Sequence, residues 1–192
     1  MMEERGVTAD HATLNRWVIK YAPEFEKQIR RRQRPVGKSW RLDETDVKIT
    51  GKWASLYRAV DKEGQTIDFL LISQRARAAS EAFLHKAIRN HGLLEQITID
   101  HSGSNTVVIQ RYHRIHQAGI AIRQCKYFNN IVEQDHRAVK RKVKPMLGFK
   151  SFWAARCTIA GMEVMHAIHK GQLANTGEKR PTAAEPFYSL AA

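Results

Sequence analysis

The sequence predicts an α/β protein whose mixed sheet carries helices on its faces. Two observations lead to this fold class. Three β-rich segments, 40–49, 52–61 and 66–73, follow one another with only short turns between them, which is the pattern of an antiparallel meander. Helical segments then alternate with short apolar strands, as expected when later strands join a sheet through helical crossovers. The predicted order is β-β-β-α-β-α-β-α-α.

The elements after the meander are located by apolar periodicity and by glycine or proline stops. The predicted short strands are 97–100 and 120–122. The predicted helices are 74–90, 105–117, 129–144 and 151–170. The end of the chain, 172–192, is small, polar and proline-bearing, and we expect it to be a disordered tail.

The segment 1–36 is predicted to be a partial helix-turn-helix followed by a basic linker. Residues 1–5 are typical of a helix end, and Gly6 of its stop. Thr8 or Asp10 would cap the next helix. Such motifs contact DNA through polar side chains near the start of their second helix. The candidates here are Asn15 and Arg16.

A third helix is expected over 24–32, because Pro23 suits the first turn of a helix. The second helix would therefore end near Tyr21. The third helix leads towards Pro35 through a basic linker, whose cations are candidates for contacts with phosphates. These cations are Arg30, Arg31, Arg32, Arg34 and Lys38.

The charge of the chain predicts a polyanionic partner. Lys and Arg number 32 against 19 Asp and Glu, a net charge of +13, and nucleic acid is the simplest partner for such an excess. A membrane surface is not expected as the partner, since no basic amphipathic helix has the large apolar face that this role needs, and no apolar run approaches the roughly 18 residues of a spanning helix. Cys125 and Cys157 lie far apart without a CxxC motif, which argues against a disulfide framework or a zinc site.

The segment 129–144 combines a carboxylate with cations on one face of a predicted helix. At 100° per residue, Glu133 shares its face with three basic side chains: Arg137, Lys140 and Lys144. A separate apolar stripe can pack on the core, and Asp135 faces away from Glu133. The pattern suits a site that holds a metal ion and a polyanion together, although a solvated, salt-bridged helix has the same pattern.

Two further carboxylates lie where strands of the predicted sheet could bring them to Glu133. Asp43 is inside the first strand, and Asp100 ends the strand 97–100. Ligands gather at strand ends in α/β sheets, and oxygen ligands suit Mg²⁺. Each acid also has an ordinary explanation: Asp43 as a strand-edge acid paired with a lysine, Asp100 as a turn residue.

Other chemistry-bearing residues are expected to be structural. Four aromatic side chains could stack on bases, but their spacing makes core packing the default: Trp53, Tyr57, Tyr127 and Phe128. The i, i+3 histidine pairs 113/116 and 166/169 have no acids at metal-ligand spacing, and we expect surface or core histidines there.

Several blocks resemble the DDE transposases of compact bacterial insertion sequences, the IS-six family. These blocks are Asp43-Glu44-Thr45, LYRAVDK at 56–62, the strand end at Asp100, NNIVEQDHR at 129–137 and PMLGFKSF at 145–152. The resemblance covers about residues 3–172. It implies a ribonuclease H-like catalytic domain over 37–171, in which Asp43, Asp100 and Glu133 match the DDE triad. Lys140 matches a basic position near the DNA end.

The resemblance also implies function and partners. We expect a transposase that cleaves and transfers DNA strands with two Mg²⁺ ions, Mn²⁺ being possible, in the bacterial cytoplasm near the nucleoid. It would act as a homo-oligomer on element ends and target DNA. Family members carry a further N-terminal stretch, so this chain is expected to be N-terminally truncated. Two alternatives stay open: an impaired DNA-binding remnant that inhibits intact transposase, and a ribonuclease H-like nuclease.

Overall fold

The structure, a computed structural model, describes Gly6 and residues 8–73, 77–100, 103–125, 130–173 and 184–191. Its sheet has five strands: β1 (Ser39–Ile49), β2 (Lys52–Asp61), β3 (Thr66–Ile72), β4 (Gln96–Ile99) and β5 (Ala121–Gln124). The strand order is β3-β2-β1-β4-β5. The first three strands are antiparallel, whereas β4 and β5 run parallel to β1. The predicted mixed sheet is confirmed.

The described residues also form six helices: α1 (His11–Arg32), α2 (Arg77–His91), α3 (Gly103–His116), α4 (Asn130–Val143), α5 (Phe152–His169) and α6 (Ala184–Ala191). A short 3-10 turn, Lys144–Met146, follows α4. The helices from α2 to α5 begin and end within three residues of their predicted limits.

The two faces of the sheet have different environments. On one face, Trp40 and Leu42 of β1 join Tyr57 of β2 in a core that includes Phe83 of α2 and Ile109 of α3. Strand alternation turns the intervening side chains of β1 and β2 to the other face. There they meet α4, whose buried stripe consists of Val132, His136, Val139 and Val143.

Contacts divide the chain into two compact units, residues 35–152 and residues 1–34 with 153–192. The first contains the sheet with α2, α3 and α4. The second contains α1, α5 and α6, whose apolar cluster includes Ile29, Val164 and Leu190. The last long helix, α5, thus clusters with the N-terminal helix.

The N-terminal helix differs from the prediction. Asp10 caps α1, since the backbone N of Thr13 donates to Asp10 Oδ1 at 2.6 Å, but α1 then continues without a break through Pro23. The predicted third helix at 24–32 is therefore wrong. A proline removes one helical N–H donor, and the burial of Ala22 and Ile29 on either side of Pro23 keeps the two halves in one helix.

The end of the chain also differs. The predicted disorder of 172–192 is wrong for the described residues 172–173 and 184–191. Leu173 is buried, as is Leu190 of α6, and the rings of Phe187 and Phe25 lie 5.3 Å apart. These apolar side chains are spread over distant segments, so no local periodicity revealed them. The predicted helix end at residues 1–5 lies outside the described residues.

Candidate active site

Strand register places the two aspartates side by side. β1 pairs with β4 up to Arg41 and Thr98. Two residues further along each parallel strand, Asp43 and Asp100 are level with one another. Level residues on neighbouring parallel strands point to the same face of the sheet. The topology therefore brings Asp43 and Asp100 together.

The helix α4 lies on that same face and carries Glu133. The predicted stripe of three valines is buried there: Val132, Val139 and Val143 are at most 7% exposed. Glu133 is exposed beside this stripe. The burial of the valines fixes the rotation of α4, so that Glu133 lies at the edge of the helix that meets the aspartates.

The pKa of Asp43 depends on the charged groups around its carboxyl. Burial raises the pKa of Asp43 to about 6, opposed by a hydrogen bond from the backbone N–H of Glu44. The carboxylates of Asp100 and Glu133 raise the pKa further, and the ammonium of Lys140 lowers it. Three other residues singled out from the sequence, Asp100, Glu133 and Lys140, are therefore close enough to act on the carboxyl of Asp43.

The carboxylates of this cluster are not drawn together around one point. Among the described residues, no three His, Cys, Asp or Glu side chains are close enough to hold a metal ion as they stand. The fit is chemical: like charges converge on a partly desolvated carboxyl, and a hard divalent cation with oxygen ligands would offset that repulsion. Asp43, Asp100 and Glu133 are the residues that could hold it.

Sequence reasoning missed His136, which lies against Asp43. Its side chain is 4% exposed, and its Nε2 atom is 3.6 Å from Asp43 Oδ2. Burial lowers the pKa of His136 to about 3, and the positive charge of Arg58 lowers it further. The imidazole is therefore neutral at pH 7. The sequence contained a signal for the burial of His136, because at 100° per residue this side chain lies next to the three valines on the helix.

Arg58 was also missed, as was its partner. Arg58 is directly opposite Asp43 in the β1–β2 register, and its side chain has no exposed surface. Its Nη1 atom lies 3.2 Å from Asp135 Oδ2. Asp135 does face away from the Glu133 side of α4, as predicted, but that direction leads to Arg58. A lone charge within an apolar strand is the signal that calls for such a partner.

The predicted DNA-contacting residues fall into three groups. Lys140 lies by the carboxylates, Lys144 follows it along the same side of α4, and Arg137 is exposed. In the other unit, Arg30 is held by Glu26, 2.7 Å from Nη2 to Oε1, and Arg32 donates to the carbonyl oxygen of Ser189. The remaining candidates are exposed: Asn15, Arg16, Arg31 and Arg34.

The aromatic residues divide differently from the prediction. Tyr57 is buried and stacks on Phe83 with ring centroids 5.9 Å apart, as expected. Trp53 is 67% exposed, so the expected core packing is wrong for it. Tyr127 and Phe128 lie outside the described residues. His113 and His116 are exposed, as predicted.

A central parallel pair of strands, flanked by an antiparallel hairpin and covered on one face by α4, is the arrangement of the ribonuclease H-like fold. Solved structures with this fold are similar to the chain. The catalytic core of BIV integrase matches at a TM-score of 0.52 and 16% identity, over 80% of this chain and 95% of that one. The HTLV-2 integrase catalytic core domain, solved with magnesium in a trimeric form, matches at a TM-score of 0.53 and 15% identity, over 79% of this chain and 98% of that one.

Sequence comparisons give the family. The profile of a DDE domain, DDE_Tnp_IS240, matches residues 37–172. The Staphylococcus aureus transposase for insertion sequence-like element IS431mec is 35% identical over 172 residues, or 88% of this chain and 75% of that protein. The S. aureus transposase for insertion sequence element IS257 in transposon Tn4003 is 34% identical over the same shares. The chain belongs to the DDE transposases of the IS-six family, with an integrase-like core. None of its described helices is long and apolar enough to cross a membrane.

Proposed function

We propose that this protein cleaves and joins DNA strands during transposition, at a metal-dependent site formed by Asp43, Asp100 and Glu133. The observation that carries the proposal is the strand register, which sets Asp43 level with Asp100 on the face of the sheet where α4 carries Glu133. A partly buried carboxyl that faces two others and a lysine is poorly solvated as an anion, and a bound cation would favour its ionised form. Mg²⁺ is the ion that suits such ligands, and Mn²⁺ is a substitute.

Two divalent ions held there would supply Lewis-acid charge at the attacking and leaving oxygens of a phosphodiester. The side chains then have distinct tasks. Lys140, beside the carboxylates, would hold a phosphate of the donor end, and Arg137 and Lys144 would extend that contact along α4. Water attacks first and frees a 3′-hydroxyl at the element end. This hydroxyl then attacks a target phosphodiester and displaces a target 3′-oxygen, so no protein–DNA bond forms.

The expected partners are element ends and target DNA, bound by a homo-oligomer. The net charge of +13 supports nonspecific attraction to DNA. The exposed cations Arg16, Arg31 and Arg34 would add phosphate contacts outside the sheet. Support for oligomerisation comes from the HTLV-2 core, which has been solved in dimeric and trimeric forms.

The test uses linear DNA carrying the ends of the encoding element, a plasmid target and Mg²⁺. Asp43→Asn, Asp100→Asn and Glu133→Gln should each lose strand cleavage and joining without any loss of thermal stability or DNA affinity. Glu95→Gln is the matched control, since Glu95 is an exposed carboxylate whose side chain is 71% accessible at the opposite end of β4. It should keep full activity.

Three results would count against the proposal. Full activity in Asp100→Asn would remove Asp100 from the site. Hydrolysed ends without joined products would make the protein a nuclease on this fold. DNA binding without any cleavage by the unmodified protein would make it a binding remnant, and coexpression with an intact relative should then reduce transposition.

A further inference from the structure

A groove beside α4 contains residues, Trp53 among them, to which the reaction proposed above gives no task. Its cavity volume is about 810 Å³, within the range of about 300–1,000 Å³ for pockets that take a small molecule. Residues 44–48 of β1 form one side, and the other side is formed at the end of α4 by Val139, Lys140, Val143 and Lys144. Trp53, Leu147 and Gly148 complete the lining. We call this the α4 groove.

Trp53 provides the groove with an aromatic face. Its side chain is 67% exposed, although Trp53 stands in a strand and pairs in register with Lys48. The tight turn at Thr50 and Gly51, both with positive φ, holds this end of the hairpin. An indole on a rigid backbone has few rotatable bonds to order on binding, and an exposed indole suits the flat face of an unstacked base.

Charges in the groove are separated. Lys140 and Lys144 lie on α4, one helical turn and about 6 Å apart, which suits a strand of successive phosphates. Glu44 and Asp46 lie on the β1 side, where they would repel phosphate but accept hydrogen bonds from amino groups on a base edge. Lys48 is at the hairpin end. By strand alternation, the side chains of Glu44, Asp46 and Trp53 point to the face of the sheet opposite α4. A nucleotide would thus lie across the edge of β1 beyond its pairing with β4, with its phosphate towards α4 and its base towards Trp53.

The groove is continuous with the candidate active site. Glu44 of the groove directly follows Asp43 on β1, and Lys140 both lines the groove and acts on the carboxyl of Asp43. A DNA strand whose phosphate reaches Asp43 therefore has a neighbouring nucleotide at the mouth of the groove.

The far wall of the groove is fixed to the sheet. Phe149 N donates to the carbonyl of Lys48 at 2.9 Å, and Thr50 N donates to the carbonyl of Phe149 at 2.7 Å. Gly148 has φ +98°, and a Cβ atom on it would lie 2.6 Å from the carbonyl oxygen of Lys48. The close approach holds the segment after α4 against the end of β1, so the groove is largely preformed.

We propose that the α4 groove binds one unpaired nucleotide of the DNA next to the reacting phosphate, with Trp53 stacked on its base and Lys140 and Lys144 on its phosphates. The inference rests on the proposed function, because it takes DNA as the substrate. A base within a duplex has no free face for the indole, so the nucleotide must leave the stack or lie in a single-stranded end.

The experiment measures DNA binding by the full chain in EDTA, so that no strand is cut. Two probes are compared: a blunt duplex, and the same duplex with a two-nucleotide single-stranded tail carrying 2-aminopurine. Unmodified protein should quench 2-aminopurine and prefer the tailed duplex. Trp53→Ala should lose the quenching and weaken binding of the tailed duplex roughly tenfold, with the blunt duplex unchanged. Trp53→Phe should retain most of both signals.

The matched control is Trp153→Ala, which removes an indole of similar exposure, 54%, outside the groove. It should leave the quenching unchanged. The inference is overturned if Trp53→Ala binds and quenches as the unmodified protein does, or if it loses affinity for both probes equally. A change in oligomeric state alone, seen by light scattering, would overturn it too and make the groove a contact between copies. If the unmodified protein binds neither probe, the proposed function itself fails.

Discussion

The guanidinium of Arg58 has no exposed surface and lies 3.2 Å from the carboxylate of Asp135, measured from Nη1 to Oδ2. This pair joins the second strand of the sheet to α4, two residues after Glu133. Arg58 is also the residue opposite Asp43 across the β1–β2 ladder. One ion pair therefore links β2, the neighbour of the strand that carries Asp43, with α4, the helix that carries Glu133.

Breaking this pair should destabilise the protein strongly. Asp135→Ala removes a carboxylate that faces a buried guanidinium, and we expect a loss of about 3–5 kcal/mol in the free energy of unfolding. Urea denaturation of the full chain measures it. Replacing both partners together, Arg58→Met with Asp135→Leu, removes both charges and should be less damaging than the single change. A double variant as unstable as the sum of its singles would show that the two charges do not interact.

The raised pKa of Asp43 predicts a gain in stability on removing its charge. The pKa of Asp43 is about 6 when folded against about 3.9 when unfolded, so the folded state binds more protons between these values. Its contribution to stability therefore falls as pH rises from 4 to 6. Asp43→Asn should be more stable than the unmodified protein by on the order of 1–3 kcal/mol at pH 7.5. Thermal melts in EDTA should show this gain, and it should vanish at pH 4.

Buried His136 predicts the opposite dependence. The pKa of His136 is about 3 when folded against about 6.5 when unfolded, so the unfolded state binds the extra proton. Stability from this residue is complete above pH 6.5 and is lost as pH falls towards 3. In His136→Gln this loss is absent. The variant should gain on the order of 2–3 kcal/mol relative to the unmodified protein between pH 7 and pH 4, as measured by urea unfolding at both pH values. A constant difference would contradict a neutral, buried imidazole.

Gly148 should tolerate no side chain. Gly148→Ala adds the strain of positive φ and a contact of 2.6 Å with the carbonyl oxygen of Lys48. Gly51→Ala is the matched control, because Gly51 has φ +79° and nothing within 4 Å of its ideal Cβ. The control should lose about 1–2 kcal/mol through backbone strain alone. Gly148→Ala should lose clearly more free energy of unfolding in the same denaturation assay. Equal losses in the two variants would mean that the backbone near Lys48 moves aside at no cost in stability.

Much of the sheet was predictable because its signals are local. Turn residues separate the three strands of the meander, and the position of Asp100 after a short apolar strand is sufficient to align it with Asp43 once β4 lies beside β1. The rotation of α4 followed from three valines. These features depend on periodicity and chain order, which a single sequence contains.

The features that were missed depend on partners far along the chain. Pro23 stops a helix in isolation, but tertiary burial on both sides keeps α1 continuous. The helix α6 is held by contacts to the N-terminal helix, and the residues next to α6 in the sequence give no sign of these contacts. The pairing of Arg58 with Asp135 likewise requires α4 to be docked. Trp53 was misjudged because strand position predicts burial only where another layer covers the sheet.

The helix α4 is attached to the sheet at two separated points, Asp135 near its start and Gly148 just after its end. Because both of its ends are attached to the sheet, α4 cannot shift along its own axis. Bringing Glu133 closer to Asp43 and Asp100 must therefore come from rotation about the side-chain bonds of Glu133. We therefore expect the three carboxylates to come together by a change of rotamer, which takes place in picoseconds to nanoseconds for an exposed side chain, with no shift of the backbone.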